Sequence, residues 1–248
     1  LGSSLISTDD GCKFVFSGSA LQPQSLSIAG TLGTRVDFEI ASGAEVQLVN
    51  QDFDLTNASN DFDVLNGGAI NFNYQNITGF GRFSQAAGGI LKITSPEGVN
   101  ATGNNTGNVQ NTGTRSYSQT GHFHYVGNET PQATGNVMTS GSTAKRIVID
   151  KDNATDLVNL TQSTGVSSSG QLYIKKGIFN ESISSFITGA GPLQMDLGST
   201  YRMYVLETTL PQLDGSYTIN DGASVELLGS GNQVLITIWF LEMVVSKL

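Results

Sequence analysis

Residues 38–48 read FEIASGAEVQL, residues 83–93 read FSQAAGGILKI and residues 217–227 read YTINDGASVEL. Each opens on an aromatic, passes four residues to a Gly, and runs on to an aliphatic five residues later. On both sides of the Gly, apolar and polar residues alternate. That is the period of a strand with one buried and one wet face. YSQTGHFHYVG (117–127) reads as a variant whose turn is one residue shorter. A strand this short cannot bury its apolar face alone. If each copy lies about 4.8 Å above the last, however, the inward Val, Ile, Leu and Phe stack into one core while outward Asn, Thr, Gln and Lys form ladders.

The same alternation recurs between the copies, in Ile70-Asn71-Phe72-Asn73-Tyr74 and Leu91-Lys92-Ile93 among others. No window carries a sustained helical apolar period free of Gly or β-branched interruption, so helices should be few. Ser42-Gly43, Asn66-Gly67-Gly68, Gly88-Gly89 and Asp221-Gly222 supply turns, with residues that tolerate positive φ. A second motif, strand then Gly-containing turn then Gln, appears in FVFSGSALQPQ (14–24), FHYVGNETPQATG (123–135) and VELLGSGNQVL (225–235). Irregular repeats of about 20 to 45 residues built this way predict an all-β solenoid. The alternative is one or two β-sandwiches, which use the same alternation but longer strands.

Composition narrows the function classes. Of 248 residues 30 are Gly and only 13% are charged, while 38% are hydrophobic. This is a turn-rich, neutral-polar chain that still has enough apolar surface to fold. The net charge of −9 is spread without a basic block, which argues against nucleic-acid binding. The single Cys12 excludes an internal disulfide framework and a Cys-based zinc site. The longest apolar run, Val234 to Val245, contains Glu242 and is too short for a membrane-spanning helix. The opening at Leu1, with no Met and no leader-like segment, is expected for an internal or processed piece of a longer protein.

Two longer stretches, 79–136 and 157–180, carry a resemblance. The first contains Leu91-Lys92-Ile93-Thr94-Ser95-Pro96-Glu97-Gly98, then Thr114-Arg115-Ser116-Tyr117, Tyr125-Val126-Gly127 and Gln132-Ala133-Thr134-Gly135. The second ends in Gly170-Gln171-Leu172-Tyr173-Ile174-Lys175-Lys176-Gly177-Ile178-Phe179-Asn180. In order and spacing they resemble repeat modules of very large Bacteroidota surface proteins of the adhesin-like or gliding-adhesin-like kind. The resemblance covers about half the chain. It implies a right-handed parallel β-helix, export across the outer membrane by the type IX route, and a structural or adhesive role without catalytic residues. Two features depart from that pattern. Residues 101–113 are richer in Asn and Gly, which predicts an ordered loop protruding near 99–113. The end, LITIWFLEMVVSKL, lacks the turns of a further coil.

Candidate chemistry is sparse. Asp52-Phe53-Asp54-Leu55 and Asp61-Phe62-Asp63-Val64 repeat a unit nine residues apart, and four carboxylates on one side could hold Ca²⁺. The Gly-rich nonapeptide of calcium-binding β-rolls is missing, and the plainer reading is solvated outward positions. His122 and His124 share one strand face and could begin a transition-metal site, but the sequence identifies no third ligand. Asp9-Asp10-Gly11, Gly121-His122 and Arg146-Ile147 are superficially similar to a polysaccharide-cleaving set, yet more than a hundred residues part the Asp pair from the His. A Gly-x-Ser-x-Gly elbow, a P-loop and H-E-x-x-H do not occur. Asn-x-Ser/Thr occurs at Asn57, Asn76, Asn100, Asn104, Asn128, Asn153, Asn159 and Asn180, as expected for a chain so rich in these residues. Tyr173 and Trp239 could stack on sugars.

The expectation is a non-enzymatic structural or adhesive segment of a secreted, outer-membrane-associated cell-surface protein, one continuous solenoid over 1–248. Catalytic, cofactor-binding and metal residues are expected to be none. Its partners would be a surface glycan or protein and the remainder of a longer chain, with no nucleic acid and no membrane insertion. The alternative is a carbohydrate-binding or polysaccharide-cleaving β-helix.

Overall fold

The computed structural model describes residues 3–8, 11–19, 21–33, 35–102, 106–204 and 213–228. The apolar C-terminal stretch with Trp239, the VELLGSGNQVL copy beyond Leu228, Asp9-Asp10 and Asn104 lie outside them. The contacts divide the chain into two compact units, Leu1–Phe123 and His124–Leu248.

In the first unit the strands are β1 (Ser3–Thr8), β2 (Gly11–Phe16), β3 (Gln24–Leu26), β4 (Val36–Ile40), β5 (Glu45–Leu48), β6 (Phe53–Leu55), β7 (Asp61–Val64), β8 (Ala69–Asn71), β9 (Ile77–Gly79), β10 (Arg82–Gln85), β11 (Ile90–Ile93) and β12 (Arg115–Tyr117). They wind into a parallel β-solenoid, in which β2-β4-β7-β10-β12, β3-β5-β8-β11 and β6-β9 stack as separate sheets. β1 folds back antiparallel on β2. The parallel pairing rules out the sandwich, whose sheets are antiparallel.

The register shows why the repeats looked irregular. Twenty-four residues separate Phe38 from its partner Phe62, and twenty-one separate Phe62 from Phe83. Thirty-two separate Phe83 from Arg115. The extra residues of that long coil come before Val109, which is already back in register with Ile77, and Asn111 beyond it is buried. FEIASGAEVQL and FSQAAGGILKI occupy the same corner, Phe over Phe. Between them lies a further copy, FDVLNGGAINF (62–72), which ends on Phe72 in place of an aliphatic. Tyr117 pairs with Gln85 rather than with Phe83. Measured from that pair, the turn in YSQTGHFHYVG is as long as its neighbour's, not shorter.

At this corner backbone donors climb the coils, Gly43 N to Gly67 O at 2.9 Å, Gly67 N to Gly88 O at 3.0 Å and Gly88 N to Thr120 O at 3.1 Å. Gly68, next in the turn, is required by space, since a Cβ there would sit 2.4 Å from Ile40 O. Inside, Phe14 stacks on Phe38, Phe38 on Phe62 and Phe62 on Phe83, with ring centroids 5.3, 6.0 and 6.2 Å apart. Phe53 meets Phe38 and Phe62 edge-on. Offset-stacked and edge-to-face contacts are the favoured aromatic geometries.

β13 (His122–Gly127) straddles the boundary in sequence. The second unit continues with β14 (Gln132–Ala133), β15 (Ser142–Thr143), β16 (Arg146–Lys151), β17 (Leu157–Asn159), β18 (Thr164–Val166), β19 (Gln171–Lys176), β20 (Ile178–Asn180), β21 (Ile187–Thr188), β22 (Leu193–Met195), β23 (Thr200–Tyr204), β24 (Tyr217–Ile219) and β25 (Ser224–Leu228). Here too the sheets are stacked coils, β16-β19-β22-β24, β14-β17-β20-β23-β25 and β15-β18-β21. YTINDGASVEL turns the corner from β24 into β25. Ile147, Leu172 and Leu193 form one inward column, all buried.

Candidate functional site

Among the described residues, many polar side chains on the outward faces pair from coil to coil. On the β2-β4-β7-β10 face Lys13 pairs with Glu39, and Asp37 accepts the backbone N–H of Asp61 at 3.0 Å. Arg82 grips Asp61 through Nε and Nη2, both at 3.0 Å, and reaches Asp63 at 3.1 Å. Burial raises the Asp63 carboxyl above its usual range. Arg82 opposes that rise, and the neighbouring Asp61 and Glu39 add to it.

The D-F-D units therefore separate. Asp61 and Asp63 lie on this face with Arg82. Asp52 and Asp54 lie at β6, where Asp52 accepts the backbone N–H of Asn76 at 2.8 Å and Asp54 is exposed. β6 and β7 belong to different sheets, so the four carboxylates do not converge. Among the described residues no three His, Cys, Asp or Glu side chains are grouped to hold a metal ion.

His122 and His124 alternate on β13 with the buried Phe123 and Tyr125, so both imidazoles face outward. Arg146, at the start of β16, places its guanidinium 5.9 Å from the ring centroid of Tyr173. Tyr173 donates its hydroxyl to Asp196 at 2.5 Å, and that bond, with burial second, pushes its pKa up to about 12. The same face carries Gln171 donating to Gln194 at 3.0 Å, Lys175 on Asp150 at 2.7 Å and Asn220 on Asp196 at 3.0 Å. On the neighbouring sheet Arg202 meets Glu226 at 2.6 Å. Two of the Asn-x-Ser/Thr asparagines, Asn159 and Asn180, bond to each other across coils at 2.9 Å. Asn128 is exposed.

Five buried charged groups among the described residues lie outside the sequence expectations, Asp156 at 5% exposed being one of them. Glu45 is 4% exposed and takes both oxygens to Lys92 Nζ at 2.7 Å. Glu181 is 5% exposed and accepts Tyr201 OH at 2.6 Å and Ile187 N–H at 2.8 Å. Burial raises its pKa and those hydrogen bonds pull it back. Lys145 is fully buried, with Nζ 2.6 Å from Thr164 Oγ1 and 3.0 Å from Thr139 O. Lys151 donates to Gln132 Oε1 at 2.8 Å and Val126 O at 3.1 Å. Burial lowers the pKa of each lysine to about 8. A signal for both was present in the sequence. In Lys145-Arg146-Ile147-Val148-Ile149-Asp150-Lys151 the two lysines share the phase of Ile147 and Ile149, the inward phase of the strand.

Among the described residues no helix is long and apolar enough to cross a membrane. No protein-family profile, curated protein or solved structure matches this chain.

Proposed function

We propose that this chain is a non-enzymatic structural or adhesive segment of a secreted bacterial cell-surface protein, of the Bacteroidota type that residues 79–136 and 157–180 resemble. The observation that carries this reading is how the outward side chains are used. Row after row bonds to the coil above or below, as in Arg82 with Asp61, Lys175 with Asp150, Asn180 with Asn159 and Arg202 with Glu226. Groups held this way stiffen a stack of coils and are poorly placed to bind or polarise a substrate. Export by the type IX route and association with the outer membrane follow from the resemblance and belong to the same proposal. The partner on this reading is a surface glycan or protein.

Two measurements test it. Antibody raised against the folded segment should label intact, unpermeabilised cells of the source bacterium, and a signal confined to lysed cells would defeat the surface assignment. Incubation with acidic and neutral polysaccharides should release no new reducing ends. Cleavage abolished by Arg146→Ala would establish the enzymatic alternative. The carbohydrate-binding alternative is favoured by the Arg146–Tyr173 stack beside Gln171 and Gln194. Glycan-array binding that disappears in Tyr173→Ala would support that alternative.

A further inference from the structure

Lys151 closes β16 with its side chain turned inward, 2% exposed, and its Nζ lies 2.8 Å from Oε1 of Gln132, which is 0% exposed. The electrophilic Cδ of Gln132 is one bond from that oxygen. Glycine at 177 makes the space, since a Cβ there would lie 2.8 Å from Lys151 Cγ. Beside them Val158, the partner of Gln132 on β17, is fully buried, as is Phe179 above it on β20. An amine and an amide are thus enclosed together at one corner of the second unit.

We propose that Lys151 and Gln132 form an intramolecular amide cross-link. The neutral Lys151 amine attacks Gln132 Cδ, the Nζ–Cδ bond forms, and the Cδ–Nε2 bond breaks. A proton lost by the attacking nitrogen passes to the leaving nitrogen, which departs as ammonia. The atoms balance without oxidant or cofactor. Exclusion of water disfavours the competing hydrolysis of the amide. Burial supplies the neutral amine as well, because it lowers the Lys151 pKa to about 8, so an appreciable fraction is unprotonated near neutrality. The cross-link would tie β14 to the end of β16 around the intervening corner.

Intact-mass measurement of the folded chain, held at mildly alkaline pH and then denatured, tests this directly. The expected mass is short of the sequence mass by one ammonia, and proteolysis should yield a branched peptide joining positions 132 and 151. Lys151→Arg and Gln132→Leu should both keep their full mass in protein whose circular dichroism is unchanged. Wild-type protein of full sequence mass after prolonged incubation would overturn the proposal. So would an ammonia loss mapped elsewhere, for example to a succinimide at Asn66-Gly67.

Discussion

Phe62 is fully buried between Phe38 and Phe83 and also receives the edge of Phe53. Phe62→Ala should therefore cost about 3–5 kcal/mol, the range for a large aromatic removed from a packed core. Phe14 is only half-buried at the start of the stack, and Phe14→Ala should cost clearly less. Urea midpoints of the two variants decide the order. Lys145 makes a second prediction, through its protons. Its folded pKa is lowered to about 8, whereas in the unfolded chain it titrates near 10.4. Between those values the unfolded state binds more protons, so stability rises with pH across that window. The buried tyrosines Tyr125 and Tyr201, whose pKa values are raised by burial, oppose the rise only above about pH 10, where unfolded tyrosine ionises. The urea midpoint should climb from pH 8 to pH 10, and Lys145→Met should remove part of that climb, with Lys151 supplying the remainder.

At the scale of the elements, the corners leave little room for a larger side chain. Gly68→Val would drive a side chain into Ile40 O, which a Cβ already approaches to 2.4 Å. It should cost about 1–3 kcal/mol as an overpacked site. Replacing 101–106 with a shorter Gly-Ser link should change stability by less than about 1 kcal/mol, since loop closure depends weakly on length. Thermal melts of the two variants make the comparison.

The contrast also explains how much could be read in advance. Strand phase and corner were legible in FEIASGAEVQL and FSQAAGGILKI, because alternation and an obligatory small turn residue are local properties. The intervening copy at 62–72 departs from the pattern because Phe72 stands where the other copies end on an aliphatic, and only the pairing with Arg82 shows what Asp61 and Asp63 do. Parallel pairing and the fate of the four aspartates depend on which coil lies next, and no local window contains that. The inward lysines were visible in strand phase, but residue type overrode phase in the reading.

For the molecule as a whole, each unit gains stability coil by coil, from the coil itself and from its contact with the next. The open edge of such a stack is its weak point, because unpaired strand donors and acceptors recruit other chains. In the first unit β1 covers β2 with an antiparallel ladder running from Ser3↔Phe16 to Thr8↔Gly11. Removing residues 1–10 should bare β2 and promote self-association, visible by sedimentation velocity as species heavier than the monomer. A truncated chain that stays monomeric would show that β1 is dispensable as a cover.

The register spacing has a mechanical corollary. A coil such as the one from Phe38 to Phe62 stores twenty-four residues in a single step of the stack. Folded, that step advances about 4.8 Å, but pulled straight the same residues reach close to 80 Å. Each coil that yields under load would release roughly 70 Å of slack and then leave its neighbours to bear the tension. A tether made of such coils would lengthen in instalments instead of snapping, as a climber's rope with sacrificial stitching does in a fall.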